Sequence, residues 1–271
     1  MYAAFNLKID PSNMFFNSYI KRYNDLGLKR KKQKKIEIKN DLKRYINNGI
    51  IDGSELSDDF FKIIKSDVFI SYSHNDEDIA LAVAGYLNQE LRLDVFMDSL
   101  FWDSADSLLK DIDDTYCKLD SENYNYQKRN LSTSHVHAML STAIIKVMDK
   151  SEIVIFLNTD NSIPKVDNVF SVNYTKSPWI YEEIMFASLL RRRHWSNHRK
   201  VSIYESVGQN LQVKYKVPIF EMKEITFEMI RDWKKEYDTW LGYKNKYNNL
   251  LTNGDTHPLN CLYKMVFGEE G

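Results

Sequence analysis

A tryptophan and a glutamate stand four residues apart in the segment Ser177-Pro178-Trp179-Ile180-Tyr181-Glu182-Glu183-Ile184. The segment opens a predicted helix from about Trp179 to Arg193, and a spacing of four brings two side chains to one helix face. Trp179 could therefore stack on a planar ring while Glu183, on the same face, stabilises a positive charge. Two ordinary interpretations stay open: Trp179 as a core residue that anchors the helix, and Glu183 as a first-turn glutamate favoured by the helix dipole.

Polar and aromatic side chains also follow two predicted strands. They are Ser71, Tyr72, Ser73 and His74 after the first strand, and Asp98, Phe101, Trp102 and Asp103 in the loop after the second. In parallel α/β sheets, ligands bind at the carboxyl ends of the strands. The loop aromatics could line a pocket or contact a neighbouring subunit, whereas Asp98 could simply cap a turn. His74 is interpreted as a polar contact.

Strands and helices alternate along the chain. Short apolar runs rich in β-formers predict buried strands at Asp67–Tyr72, Leu93–Met97 and Ser151–Leu157, with later candidates at Lys200–Tyr204 and Val213–Phe220. Apolar residues at helical spacing predict helices over Asp58–Ile64, Ile79–Leu91, from near Ala105, Val136–Met148, Trp179–Arg193 and Thr226–Trp240. Asp98–Ser104 is expected to be a loop and Tyr116–Leu131 an exposed excursion. The pattern predicts a three-layer α/β fold, with a central parallel sheet and helices on both faces.

Three regions are expected: a basic helical N-terminal extension over residues 1–65, the α/β domain over 66–240, and a C-terminal helical tail over 241–271 that packs on it. The extension contains the run Lys29-Arg30-Lys31-Lys32-Gln33-Lys34-Lys35 and loosely helical apolar residues from Ile36 to Ile46. Such a run indicates a basic amphipathic helix. Its basic face is either solvated or a contact for a partner or nucleic acid.

Composition excludes several classes of protein. With 43% hydrophobic residues and only 9 Gly and 5 Pro among 271, the chain is too apolar for a disordered protein. A net charge of −1 gives no overall attraction to nucleic acid or anionic membranes. The two cysteines match no zinc spacing, and His135 and His137 have no matching ligands, so no metal site is expected. No signal peptide or membrane helix is predicted, which favours a cytoplasmic protein.

Four of these segments, in order, resemble the motifs of TIR (Toll/interleukin-1 receptor) domains. Asp67-Val68-Phe69-Ile70-Ser71-Tyr72-Ser73 is similar to the opening strand motif, and Val95-Phe96-Met97-Asp98 to the second strand. Ser151–Leu157 resembles a later strand, and Trp179…Glu183 resembles the Trp-x-x-x-Glu helix start of TIR domains that consume NAD. The resemblance covers Asp67 to Tyr237 and implies a flavodoxin-like TIR fold.

The departures from the family point to a subgroup. The second-strand loop reads Asp98-Ser99-Leu100-Phe101-Trp102-Asp103 instead of Arg-Asp-x-x-Pro-Gly, and Tyr116–Leu131 is an insertion. Both features resemble the divergent bacterial TIR proteins of antiphage defence, including the signal-producing component of Thoeris systems.

The resemblance implies cleavage of the nicotinamide–ribose bond, with NAD as the substrate and no cofactor. The leaving group is neutral, so one carboxylate that stabilises the oxocarbenium-like ribose suffices, and Glu183 matches that position. Glu182 would replace it if the alignment is displaced by one residue. The family implies substrate contacts at Ser71, Tyr72, Ser73, His74, Asp98, Trp102, Asp103 and Trp179.

Two hypotheses from different classes follow. The first is an NAD glycohydrolase or ADP-ribosyl cyclase that self-associates through TIR–TIR contacts and reaches a downstream effector by a diffusible nucleotide signal. The second is a non-catalytic TIR scaffold, which would need no carboxylate at Glu183.

Overall fold

The computed structural model of the chain describes residues 3–9, 14–34, 42–47, 50–164, 174–190, 215–216, 222–246 and 257–268. The strands are β1 (Ala3–Lys8), β2 (Ile46–Asn47), β3 (Ile50–Ile51), β4 (Val68–Ser71), β5 (Val95–Met97), β6 (Ile153–Asn158), β7 (Tyr174–Thr175), β8 (Tyr215–Lys216) and β9 (Lys223–Thr226). The helices are α1 (Met14–Lys34), α2 (Gly53–Phe60), α3 (Glu77–Leu91), α4 (Ser99–Ile112), α5 (Tyr126–Lys150), α6 (Pro178–Leu189), α7 (Phe227–Lys246) and α8 (Pro258–Phe267).

Five strands form one parallel sheet in the order β5-β4-β6-β1-β9. Helices cover both faces, so the predicted three-layer α/β class is confirmed. The core on one face includes residues from α1, α3, α7 and α8, and the core on the other includes residues from α2, α4, α5 and α6. Parallel strands need crossover connections, which explains why helices separate them along the chain.

The N-terminal strand β1 was not predicted. It lies between β6 and β9, and its residues Ala3 to Leu7 are all buried. The expected division between residues 1–65 and 66–240 is therefore wrong as a structural boundary, because the first strand of the chain is an inner strand of the sheet. A six-residue strand gives little periodicity, and its parallel partners are distant in sequence.

Most other predicted elements are found. The strands at Val68–Ser71 and Ile153–Asn158 and the helices at Glu77–Leu91 and Pro178–Leu189 lie where the sequence indicates. The buried stripe of α7 is also confirmed, with its Trp233 fully buried. At the C-terminus α8 is helical and contributes to the same core, as expected of the tail.

Three local predictions are wrong. Asp98–Ser104 is not a loop, because α4 begins at Ser99 directly after β5. The Tyr116–Leu131 excursion is only partly irregular, since α5 already begins at Tyr126. Ile46 lies in β2 rather than in a basic helix.

The two later strand candidates have different outcomes. Lys200–Tyr204 lies outside the described residues. Within Val213–Phe220, only β8 is described, and it pairs antiparallel with β7 rather than joining the central sheet.

Helices α1 and α3 pack closely through glycine. A Cβ atom on Gly27 would lie 1.9 Å from the carbonyl oxygen of Leu81, and one on Gly85 would lie 2.2 Å from that of Tyr23. Both distances are far below van der Waals contact, so a side chain at either position would separate the helices.

We expect Gly27→Ala to lower the free energy of unfolding by about 1–3 kcal/mol or more, because the added methyl group overpacks this contact. Gly242→Ala is the matched control, since a Cβ there meets nothing within 4 Å and alanine favours the helix by roughly 0.5–1 kcal/mol. Urea unfolding of both variants measures the difference. Equal urea midpoints for Gly27→Ala and Gly242→Ala would contradict the close packing of α1 against α3.

Among the described helices, none is both long enough and apolar enough to cross a membrane.

Candidate functional site

The candidate site lies at the carboxyl ends of β4 and β5. Ser71 is the last residue of β4, and Asp98 directly follows β5. The two strands pair in register, with Ile70 opposite Met97. The next residues, Ser71 and Asp98, are therefore neighbours across the strand ends, as expected for parallel strands.

Helix α6 brings Glu183 to this edge. Ser177 caps the helix by accepting a hydrogen bond from the Ile180 N–H at 3.3 Å, and Pro178 occupies the first helical position. Glu183 falls in the second turn and is 2% exposed. The interpretation of Glu183 as a first-turn surface glutamate is therefore wrong.

Ser71 and Glu183 are joined directly. The Ser71 hydroxyl donates a hydrogen bond to Glu183 Oε2 at 2.5 Å, across 112 residues of sequence. This contact ties the end of β4 to the second turn of α6. It leaves Oε1 as the second acceptor of the same carboxyl group.

Asp98 and Glu183 form a buried carboxyl pair, in which Asp98 is 6% exposed. Glu183 Oε1 and Asp98 Oδ1 are both buried without a donor, yet the two carboxyl groups are hydrogen-bonded to each other. Two carboxylates have no proton to donate, so one proton must be shared for this contact to be favourable. Above about pH 7 the pair therefore holds one proton and one negative charge.

Burial sets the acidity of the pair. Burial raises the pKa of Asp98 to about 7, although the hydrogen bond from Glu183 lowers it. Burial, followed by the neighbouring charge of Asp98, raises the pKa of Glu183 well above its ordinary value. Because the two groups share a proton, the charges of neighbouring residues decide which of the two holds it.

Two more buried polar atoms lie beside the pair. The Tyr72 hydroxyl and Ser99 Oγ lack a partner within strict hydrogen-bond geometry, although they lie close enough for Ser99 to lower the pKa of Tyr72. Burial and the nearby charge of Asp98 raise the pKa of Tyr72, so it is neutral. Among the described residues, six buried side-chain polar atoms lack a partner within strict hydrogen-bond geometry. Four of them belong to this site, where Asp98 faces Glu183 and Ser99 faces Tyr72. Such a concentration is unusual in a folded core and indicates a place kept for a ligand or water.

An aromatic cluster adjoins the carboxyl pair. The rings of Trp102 and Trp179 meet edge to face with centroids 4.3 Å apart, and His137 contacts Trp179 at 4.8 Å. All three are half-buried. Burial lowers the pKa of His137, so its ring is neutral at pH 7. The cluster offers a partly exposed aromatic surface one helical turn from each carboxyl group.

The expectation that Phe101 and Trp102 form an exposed aromatic pair on a loop is wrong. Phe101 is not part of an exposed loop pair, since it is 2% exposed and packs on Phe96 and Phe61 in the core. Helix α4 turns the two adjacent aromatics to different faces.

Some predicted contacts lie away from the pair. Ser73 is half-buried and His74 is exposed in the turn before α3, and Asp103 is exposed on α4. Ser71 donates its hydrogen bond to Glu183, whereas burial raises the pKa of Glu182 and Ser141 on α5 lowers it. The alternative alignment with Glu182 at this position is thus disfavoured by geometry.

Sequence reasoning missed two groups near the site. Asp76, 2% exposed, accepts hydrogen bonds from Thr159 Oγ1 and Asn161 Nδ2, which fixes the turn after β4 to the loop after β6. Lys31 on α1 forms an ion pair with Glu77, whose charges reach Asp98. The position of Asp76 at the end of the polar loop Ser73–Asp76 could have indicated its role. No local sequence pattern indicates the ion pair between Lys31 and Glu77.

The described residues contain no group of three or more His, Cys, Asp or Glu side chains that could hold a metal ion. The arrangement instead offers a carboxyl pair, hydroxyl groups and aromatic rings. Because Glu183 and Asp98 are both buried, a ligand can reach the pair only if neighbouring side chains move.

Comparisons of the chain with models of protein families, with curated proteins and with solved structures find no match.

Proposed function

We propose that this chain is a TIR-type NAD glycohydrolase or ADP-ribosyl cyclase, which cleaves the nicotinamide–ribose bond of NAD in the cytoplasm and generates an ADP-ribose or cyclic ADP-ribose-type signal in antiphage defence. One observation carries the proposal. The Ser71–Glu183 hydrogen bond joins the opening-strand motif directly to the Trp-x-x-x-Glu motif. The first segment resembles TIR domains in general, and the second resembles the TIR domains that consume NAD.

The chemistry fits a single negative charge at this edge. When the C1′–N bond breaks, its electron pair leaves with nicotinamide, which becomes neutral, and positive charge develops on the ribose. The Asp98–Glu183 pair carries one negative charge in a buried setting, where it stabilises such a charge more than it would in water. Water or another hydroxyl then forms the new bond at C1′, and its proton is released to the pair.

The aromatic cluster suits a planar ligand. Trp102 and Trp179 present partly exposed rings beside the pair, and such faces stack on nicotinamide or adenine. Binding would have to open the edge-to-face contact between them. The proposed enzyme is therefore latent in this closed form and opens on ligand binding or self-association.

A non-catalytic scaffold is the second candidate, and the burial of Glu183 favours it. A scaffold, however, has no use for two adjacent carboxyl groups in the core, which are costly to bury. Two buried hydroxyl groups beside them, on Tyr72 and Ser99, add to that cost because neither makes a hydrogen bond of good geometry. The balance supports the enzyme.

Nicotinamide release from NAD by the purified protein tests the proposal. We expect release to increase more than in proportion to protein concentration, because self-association would open the site. Mass spectrometry of small molecules from cells that express the protein, with and without phage, identifies the product. No release at any concentration, together with no new nucleotide in infected cells, would refute the enzyme and leave the scaffold.

We expect Trp102→Ala to weaken self-association or to lower turnover while the monomer remains folded. In the open form the Trp102 ring would contact the ligand or a neighbouring chain. An aromatic contact of this kind is worth ~0.5–1.5 kcal/mol, which corresponds to a change of up to about tenfold in the affinity or the rate. Sedimentation and nicotinamide release measure the two effects. Ser107→Ala, at an exposed position of α4, is the control, and a Trp102→Ala protein indistinguishable from it would exclude a role for this ring.

A further inference from the structure

An ion pair between α1 and α3 lies beside the end of β5, because Lys31 lines one cavity together with Met97 and Leu100, which flank Asp98 in the sequence. Lys31 Nζ is 2.6 Å from Glu77 Oε1, and the Lys31 side chain is only 13% exposed. Lys31 favours the ionised form of Asp98, and Glu77 disfavours it. A basic residue from the N-terminal part of the chain is thus an electrostatic neighbour of the site.

Close helix packing delivers Lys31 to this place. The contacts Tyr23–Gly85, Gly27–Leu81 and Lys31–Glu77 step by four residues forward along α1 and backward along α3. This is the pattern of two antiparallel helices in contact. Since the two glycines let the backbones approach, Lys31 is held against the start of α3 rather than extended into water.

Lys31 differs in this respect from its neighbours in the basic run. Lys29, Arg30 and Lys32 are exposed, whereas Lys31 is half-buried. The expected solvated face therefore describes Lys29, Arg30 and Lys32 but not Lys31.

Several charged or titratable groups surround the pair. Glu77 on α3 and Lys31 on α1 act on Asp98, Glu182 on α6 acts on Glu183, and Tyr72 after β4 is neutral beside both. Among the groups that act most strongly on Asp98, Lys31 is the cation. Removing it would leave the repulsion from Glu77 uncompensated.

We propose that Lys31 is a positioning residue of the site, whose ammonium group holds the single negative charge of the carboxyl pair at Asp98. The proton then lies on Glu183 Oε1, since Oε2 accepts the Ser71 hydroxyl. The charge of Lys31 acts against that hydrogen bond, which by itself lowers the pKa of Glu183. The basic N-terminal helix is in consequence a functional part of the site. The inference deepens the proposed function and rests on it where turnover is concerned, but the charge distribution itself can be measured without NAD.

The test compares two substitutions with opposite expected signs. Lys31→Met removes an attraction for the ionised pair, so the midpoint of its titration should rise by about one pH unit. Glu77→Gln removes a repulsion, so the midpoint should fall. The double variant should lie close to wild type. Carboxyl-carbon NMR of protein labelled with ¹³C in Asp and Glu follows the titration, with signals assigned from Asp98→Asn and Glu183→Gln.

The controls separate charge from stability. Lys32→Met, on the exposed side of α1, should leave the midpoint unchanged. Opposite shifts for Lys31→Met and Glu77→Gln support the positioning role, because a merely structural role would move both in the same direction. Unchanged midpoints, or shifts of the same sign, overturn it.

The activity arm distinguishes the two proposals. If NAD is cleaved, the pH profile of nicotinamide release should move with the titration midpoint in both variants. Opposite shifts in the titration without any NAD cleavage by the wild type would support the role of Lys31 and count against the proposed function alone.

Discussion

Glu183→Gln should slow nicotinamide release on the order of a hundredfold or more, about 3 kcal/mol, while the protein remains folded. The substitution keeps the size of the side chain and its acceptor for the Ser71 hydroxyl. It leaves the negative charge on Asp98, but it prevents Glu183 itself from ionising against the ribose. The cationic nicotinamide ring of bound NAD would favour ionisation of this pair, so the loss should appear in the chemical step.

The effect of Glu183→Gln on stability follows from burial. A glutamine can donate its amide N–H to Asp98 in place of the shared proton, so no buried acceptor is left without a donor. We therefore expect the free energy of unfolding at pH 8 to be unchanged or higher than in the wild type, which urea unfolding measures.

Glu182→Gln is the matched control for activity. It lies on the same helix and is half-buried, but it faces Ser141, so its loss of activity should be much smaller. A folded Glu183→Gln protein that releases nicotinamide at the wild-type rate would remove Glu183 from the mechanism. An inactive Glu182→Gln beside an active Glu183→Gln would transfer the role to Glu182.

The second large effect concerns the pH dependence of stability. The pKa values of Asp98 and Glu183 are both raised in the folded state. Their contribution is therefore fully present below the ordinary carboxyl pKa of about 4 and is lost as pH rises. For Asp98 the loss runs up to a pKa of about 7. Each proton involved lowers the free energy of unfolding by up to about 1.4 kcal/mol per pH unit.

The difference between the wild type and an Asp98→Asn/Glu183→Gln double variant isolates this contribution from other titrating groups such as His137. We expect wild-type stability to fall relative to the double variant between about pH 5 and pH 7. Urea unfolding at a series of pH values measures it. Asp111→Asn, exposed on α4, should follow the wild type, and a double variant with the wild-type slope would disprove the shared proton.

The sequence by itself determined the elements that carry a strong local pattern. Val68–Ser71 and Ile153–Asn158 are runs of large apolar residues that only a strand buried on both faces can accommodate. Helix α6 was predicted to begin within one residue of its observed start at Pro178. The order of strands and helices was sufficient for the three-layer α/β class.

Local patterns also fail for identifiable reasons. In α4, the residues from Ser99 to Trp102 mix polar and aromatic types that occur equally in loops, and the helix was recognised only from near Ala105. Strand β1 is short, and its place between β6 and β9 depends on pairing with residues about 150 and 220 positions later. Parallel pairing leaves no short-range signal comparable to a hairpin turn.

Only the tertiary structure decided how the site residues relate to one another. The sequence assigned Asp98 and Glu183 to separate roles on a loop and a helix surface, whereas packing of α4 and α6 against the sheet edge brings them together in the core. Burial then makes them share a proton, because two desolvated carboxylates repel each other. The charge of Lys31 reaches this pair because Gly27 and Gly85 allow α1 to approach α3. The distance between the two helices depends on the residues of both, so neither helix sequence alone predicts it.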